Sequence, residues 1–390
     1  MRRFVIVGAA LFVLLLDGNL ATPLYAVYRD RFGFSGTELT LIFATYTVVL
    51  IPSLLVFGQL SDRVGRRRVL VGGLAGATLG LLLLALAAST AWLFVARAVQ
   101  GLALGAVVGT AAAALVEAEP TGDHRRAALA AVLGQSGGSA AGPLVAGSLA
   151  EWAPAPRQLS YALAIVATTL IAVAVWRIPE PSRPSGEWRL QRPSVPPAIR
   201  TRFARLSLSC GAVWAVGALF LSVVPSYAAT LLHTGDLALL GAISAGMLAV
   251  ACLMQTFAQR RRVRPQRAQP SGLALLVAGI AALVAAFPTH SLVLVMAGAA
   301  LAGAGLGLTY FGSQTEINHI APPERRGEVT AAFITCQYAF VSVTAVTVGL
   351  LSDAASLAAA VRTVGLVIAV AAITVAAWHI AAARGDTVGA

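Results

Sequence analysis

The chain has 390 residues, 58% of them hydrophobic and 11% charged, with a net charge of +12. A soluble domain carries about 25% charged residues, so a water-soluble globular fold is excluded. All the basic charge is arginine and lysine is absent, which removes a P-loop nucleotide site and Schiff-base chemistry, since both need that amine.

Apolar stretches long enough to cross a bilayer follow one another along the chain. They predict spans over 4–27, 37–59, 69–89, 91–118, 127–150 and 159–178, then 205–228, 238–259, 271–287, 291–317, 329–352 and 357–381. The first follows Met1-Arg2-Arg3 as a signal peptide would. It runs on too far and lacks a small-residue cleavage pattern, so it reads as a membrane-embedded first helix. It also holds the one acidic residue well inside a predicted span, in Leu16-Asp17-Gly18-Asn19-Leu20-Ala21-Thr22-Pro23-Leu24-Tyr25.

Between the sixth and seventh spans lies a Pro-, Ser- and Arg-rich stretch that reads as a linker. The predicted organisation is a six-helix bundle over 1–178, a linker over 179–204, and a second six-helix bundle over 205–390 ending in a short tail. Arg125-Arg126 and Arg325-Arg326 precede equivalent spans, and Glu117 and Glu316 close equivalent ones. The fold class is therefore an all-α membrane protein, with twelve transmembrane helices in two bundles related as parallel repeats. Arg29, Arg31, Arg157 and Arg362 fall on one side and Arg97 within a span, while every other arginine falls on the opposite side. The positive-inside rule then puts both termini in the cytoplasm. Arginines placed this way, between spans, argue against a nucleic-acid partner. Cys210, Cys252 and Cys336 sit in apolar runs and read as small core residues.

The loop between the second and third spans reads Gly58-Gln59-Leu60-Ser61-Asp62-Arg63-Val64-Gly65-Arg66-Arg67-Arg68-Val69-Leu70. It resembles the signature loop of the major facilitator superfamily, G-x-L-[SA]-D-R-x-G-R-[RK]-x-x-L. The resemblance implies a gating role for Gly58, Asp62, Arg63, Gly65 and Arg66. In it, Gly58 permits close helix approach, Gly65 a tight turn, and Asp62 meets a helix N-terminus of the other half. Arg66 would bind an acidic group after the fourth span, Glu119 or Asp123. The equivalent loop of the second half, Arg260-Arg261-Arg262-Val263-Arg264, lacks the Gly and Asp and reads as a lipid-headgroup anchor.

Arg97-Ala98-Val99-Gln100-Gly101, with Gly105 and Gly109, is similar to the family's fourth-helix motif. Gly138, Gly142, Pro143 and Gly147 are similar to its fifth-helix antiporter motif, with Ala146 in place of one glycine. The segment around Asp17 resembles the first-helix motif of drug–proton antiporters. Measured from the expected outer helix ends at 1.5 Å per residue, Asp17 and Arg97 lie roughly 13 Å and roughly 9 Å deep. A charge pair is expected between them, with Asp17 exchanging a proton against substrate and Arg97 as its partner. Asn19, Tyr25, Tyr46, Gln135, Trp214, Tyr227, Tyr310, Gln314 and Gln337 are the expected cavity residues, aromatic and amide groups suited to amphiphilic ligands.

The expected function is a secondary transporter working by alternating access, a proton-coupled antiporter that exports drugs or small amphiphilic metabolites. A sugar or small-metabolite permease of the same fold is the alternative, and a non-transporting receptor a distant one. Nothing in the chain suggests an enzyme. There is no H-E-x-x-H and no intramembrane carboxylate pair, and His124, His233, His290, His319 and His379 are scattered. Neither a cofactor nor a metal is expected. The expected partners are a small-molecule substrate, protons and the lipid bilayer of the cytoplasmic membrane, with the protein acting as a monomer.

Overall fold

A computed structural model describes residues 1–153, 155–180 and 193–388. Residues 181–192 of the expected linker lie outside the described residues. Every regular element among the described residues is helical. In chain order they are α1 (Arg2–Phe32), α2 (Gly36–Val64), α3 (Arg66–Ala85), α4 (Thr90–Ala118), α5 (His124–Val132), α6 (Gly138–Trp152) and α7 (Pro156–Trp176). There follow α8 (Arg200–Ser222), α9 (Val224–Leu232), α10 (Leu237–Arg260), α11 (Pro265–Thr289), α12 (Leu292–Ile320), α13 (Arg326–Ala354) and α14 (Leu357–Val388). Eleven of the described helices are long and apolar enough to cross a membrane. The remaining expected span, 127–150, is α5 and α6 joined by a π-helical turn, Leu133–Gly137.

Local chemistry sets these boundaries. The helix α2 opens on a capping box, in which the Ser35 hydroxyl accepts from Glu38 N–H at 3.1 Å while Ser35 N–H donates to the Glu38 carboxylate at 2.8 Å. Asp123 caps α5 through the backbone N–H groups of Arg125 and Arg126. The helix α1 ends at Gly33, whose φ of 67° is the left-handed stop that glycine adopts freely.

Several expected spans change shape, the second running on to Val64 and the twelfth to Val388. The first continues to Phe32 instead of ending near 27. The fifth is interrupted by the π turn. The seventh, expected over 205–228, begins at Arg200 and is split into α8 and α9 around Val223. Pro225 explains that break, because it has no N–H and its ring clashes with the carbonyl four residues back. The ninth starts six residues early, at Pro265, and carries Pro270 within it; neighbouring helices in a bundle satisfy the carbonyls that such prolines free.

The chain divides into two compact units, Met1–Gln191 with Asp236–Ala245, and Arg192–Gly235 with Gly246–Ala390. In the first unit α1 is central, packed on α4, α6 and α7, while α4 packs on α2 and α3. In the second, α8 packs on α12, α13 and α14, and α11 on α12 and α14. A core of Phe203, Leu206, Cys210, Ile317, Val329 and Phe333 lies at one end of it. The outward faces are apolar too, with Val166 and Leu170 on α7 and Leu366, Val370 and Ile373 on α14 all more than half exposed. Such a surface suits a protein whose solvent is hydrocarbon.

Candidate functional site

Two ionisable side chains are buried at the centre of the first unit. Arg97 is 1% exposed and is the largest fully buried side chain among the described residues. Its position follows from the glycines of α4. A Cβ on Gly101 would collide with the Tyr46 carbonyl, so α4 and α2 touch backbone to backbone there. That contact lays the Tyr46 ring against the guanidinium at 4.3 Å, with Phe43 at 5.9 Å. Cation–π attraction strengthens when desolvated, to about 2 kcal/mol. Gly105 makes a similar close approach to Leu50 and Ser53, whereas nothing lies within 4 Å of a Cβ on Gly109. Arg97 Nη1 donates to the Gly18 carbonyl at 2.9 Å and to Gln100 Oε1 at 2.8 Å.

Asp17 is also 1% exposed. The expected ion pair with Arg97 does not form. Asp17 Oδ2 accepts from the Thr168 hydroxyl of α7 at 2.7 Å, and Oδ1 has no hydrogen-bond partner. The reason is azimuth, not depth. Arg97 does reach the same turn of α1, but it faces the Gly18 peptide, and successive side chains on a helix leave the axis about 100° apart. The Asp17 side chain thus turns toward α7. Gln100 reaches the Asp17 carbonyl at 3.4 Å, so both polar residues of the fourth-helix motif face α1. Sequence reasoning did not single out Thr168. Its signal is faint, a threonine in an apolar run with no charge to mark it.

The glycines of the fifth-helix motif fit α6 onto two neighbours. A Cβ on Gly138 would strike the Phe12 carbonyl, and one on Gly142 would lie 2.5 Å from the Leu16 carbonyl, one residue before Asp17. On another face, Gly147 approaches the Leu237 carbonyl and Gly241 the Pro143 carbonyl, both within the first unit. Gln135 lies in the π turn, a distortion that recurs at functional sites.

The loop between α2 and α3 is a dense charge cluster. Arg66 pairs with Asp62, donates to Glu117 at 3.2 Å and also bonds Ser61. Its partner at the end of the fourth span is therefore Glu117, not the expected Glu119 or Asp123. Glu119 instead organises its own turn, accepting from Thr121 and Asp123 N–H groups and pairing with Arg126 at 3.5 Å. Gly65 has a φ of 101°, a backbone that disfavours any side chain. A Cβ there would also meet Glu180 Oε2 at 2.6 Å. Glu180, beyond α7, accepts from Arg67 N–H at 3.0 Å, the first turn of α3, where a carboxylate is favoured. Arg67 in turn donates to the Ile178 carbonyl and stacks on Trp176. Arg63 is exposed. Gly58 does not serve close packing here, since a Cβ on it would have nothing within 4 Å.

Glu119 yields a prediction. Burial pushes its carboxyl up, but the donors from Asp123 and Thr121 with Arg126 beside them outweigh this, holding it below the usual carboxylate range. A depressed value means stability gained above the unfolded pKa of about 4.3 and lost as pH falls through the folded value. Glu119→Gln is expected to lower the melting temperature at pH 7, with the difference shrinking on acidification below about pH 4. A thermal melt series of both proteins across pH checks it, and a constant difference would contradict it.

The expected cavity residues separate into two sets. Asn19, Tyr25, Tyr46 and Gln135 belong to the first unit and the other five to the second. Asn19 is turned onto its own helix, donating to the Leu15 carbonyl at 2.9 Å, and the Tyr25 hydroxyl is buried without a partner. In the second unit Trp214 meets Tyr310 at 5.9 Å, and also Tyr338 at 5.4 Å, which the sequence did not single out. Gln337 is 2% exposed with Nε2 unpartnered. Gln314 reaches Asn318 at 3.5 Å. Tyr227 belongs elsewhere, against Phe287 and the Leu283 carbonyl. Glu316 holds Gln269 at 2.8 Å and Arg205 at 3.6 Å, so the repeat-related carboxylates Glu117 and Glu316 each bind an arginine of their own unit.

A family model, the Major Facilitator Superfamily, matches residues 7–345. Puromycin resistance protein pur8 of Streptomyces alboniger is 36% identical over 153 residues, 38% of this chain and 30% of that protein. Cephamycin export protein CmcT of Amycolatopsis lactamdurans is 34% identical over 125 residues, 32% of this chain and 26% of that protein. Each match thus spans less than a third of the relative's own length. The fold is similar to that of a bacterial homolog to the human lysosomal transporter Spinster, inward-facing and unoccupied. The TM-score is 0.78 at 17% identity, covering 98% of this chain and 96% of that one. Helices that span a membrane, the charged loop between α2 and α3 and the match over residues 7–345 agree: the chain belongs to the Major Facilitator Superfamily.

Proposed function

We propose that this protein is a secondary transporter, a proton-coupled antiporter that exports drugs or small amphiphilic compounds across the cytoplasmic membrane by alternating access. The observation that carries this reading is Asp17, a carboxyl buried in a membrane helix with a neutral hydroxyl as its side-chain partner, one residue from the peptide that Arg97 grips. A group so costly to bury is a functional site by default. Asp17 takes and gives up the proton, and Arg97 is the fixed charge that compensates the carboxylate. The glycine contacts of α6 on α1 keep that turn of α1 in register. The cluster of Asp62, Arg66 and Glu117 serves as the gate, opening and re-forming as access alternates. Trp214, Tyr310 and Tyr338, with Gln337, offer the flat apolar surfaces and few polar atoms that amphiphilic compounds need. Relatives named for puromycin resistance and cephamycin export support outward transport of such compounds. The protein works as a monomer of two six-helix halves, 1–178 and 205–390, joined by the linker 179–204, with both termini cytoplasmic.

The test is accumulation of labelled amphiphilic cations, neutral antibiotics and sugars by proteoliposomes under an imposed pH gradient. Gradient-driven accumulation of an amphiphilic compound that falls to the level of empty vesicles in Asp17→Asn is the expected result. Gradient-independent passage of a sugar, equal in both proteins, would replace this reading with that of a permease.

A further inference from the structure

We propose that Thr168 is the positioning residue of the Asp17 site: its hydroxyl holds the carboxyl against α7, and exchange of Asp17 between Thr168 and Arg97 is the local event that couples the proton to transport. This rests on the proton-coupled reading above. Threonines in these helices ordinarily satisfy their hydroxyl on their own backbone. Thr78, Thr110, Thr230, Thr315, Thr335 and Thr374 each donate to the carbonyl four residues earlier. Thr168 is 0% exposed and instead donates across to another helix, to Asp17 Oδ2 at 2.7 Å. Thr309 also reaches another helix, but it donates to a backbone carbonyl, that of Gln269 at 3.5 Å, whereas the acceptor of Thr168 is an ionisable side chain.

The surroundings of Asp17 supply the second position. Arg97 is fastened to the neighbouring peptide through the Gly18 carbonyl, yet its Nε has no partner, and neither has Asp17 Oδ1. A cation and a carboxyl on adjacent helices thus each keep one buried hydrogen-bonding atom unused. Rotation about χ1 between staggered wells carries the carboxyl around α1 without moving the backbone. The neutral acid needs no counter-charge, and the Thr168 hydroxyl serves its Oδ2. When the O–H bond breaks and the proton leaves to water, the carboxylate needs a counter-charge, and Arg97 provides it. Reprotonation returns the carboxyl to Thr168. The hydrogen bond biases this partition about fivefold at ordinary strength.

Two measurements on the full-length protein test the assignment. Infrared difference spectroscopy reads the Asp17 carboxyl band, identified as the band that Asp17→Asn removes. Thr168→Val is expected to shift it to higher wavenumber as the hydrogen bond is lost, and Thr168→Ser to leave it in place. An unmoved band in Thr168→Val would overturn the proposal. In proteoliposomes, the protons exchanged per substrate are expected to fall, by up to about fivefold, in Thr168→Val and to recover in Thr168→Ser. A wild-type ratio in Thr168→Val would likewise overturn it. The two readings fail separately: absence of proton exchange in the wild type refutes the antiport reading, whereas normal exchange in Thr168→Val refutes only the role of Thr168.

Discussion

Gly138→Ala is expected to lower the stability of the protein by about 2–3 kcal/mol, at the upper end of the cost of overpacking a core. The added methyl would fall on the Phe12 carbonyl, with the Phe12 Cα and carbonyl carbon 3.0 Å away. No rotamer change relieves a contact with backbone, so α6 must move off α1. The adjacent position is the control. A Cβ on Gly137 meets only the edge of the Phe12 ring, at 3.5 and 3.8 Å, which is ordinary contact. Gly137→Ala is therefore expected to be neutral, or stabilising by up to ~1 kcal/mol through helix propensity. Thermal melts of both variants in the same detergent check the contrast, and equal melting temperatures would contradict it. The consequence reaches the candidate site, because Gly142 makes the same kind of approach to Leu16 one turn on, beside Asp17.

Arg97→Met is expected to abolish coupled transport while leaving the protein folded. A membrane-embedded arginine costs about 2.5–3.5 kcal/mol at a helix centre on insertion scales. Here a carbonyl, an amide oxygen and two rings offset that cost. Substitution by methionine removes the charge and fills much of the volume. It leaves Gln100 Oε1 without its donor, a loss of about 1–3 kcal/mol. The two terms nearly cancel, as they often do when a buried charge is replaced by a well-packed apolar group. A melting temperature close to wild type together with transport at the background level is the expected pair of results. Loss of folding would mean that Arg97 is a structural brace; retained coupled transport would remove it from the mechanism.

Much of this arrangement was legible in the sequence because membrane physics constrains it tightly. Length and hydropathy gave the helices, Gly65 stood out as the turn residue before α3, and Arg66 as a residue that binds an acidic group at the end of the fourth span. Depth counting brought Asp17 and Arg97 to the same turn of α1, although α1 runs on to Phe32 and shifts the outer reference point. What one dimension could not supply was direction around the helix axis. Asp17 and Gly18 occupy one level but face different neighbours, so the carboxyl meets Thr168 and the guanidinium meets a carbonyl. The same limit misassigned the partner of Arg66: Glu117, Glu119 and Asp123 are close in sequence, and only Glu117 is on the face that meets α3. Thr168 and Glu180 were missed because neither carries a sequence signature; each matters through a single hydrogen bond to a distant segment.

The most direct measurement of the central claim is proton movement triggered by substrate in proteoliposomes that enclose a pH-sensitive dye. Addition of an amphiphilic cation to the wild-type protein is expected to change the internal pH within the time of transport, and Asp17→Asn is expected to give no change. Labelled compound crossing the membrane with the dye signal flat in the wild type would contradict the account, leaving a transporter in which Asp17 and Arg97 only order the bundle.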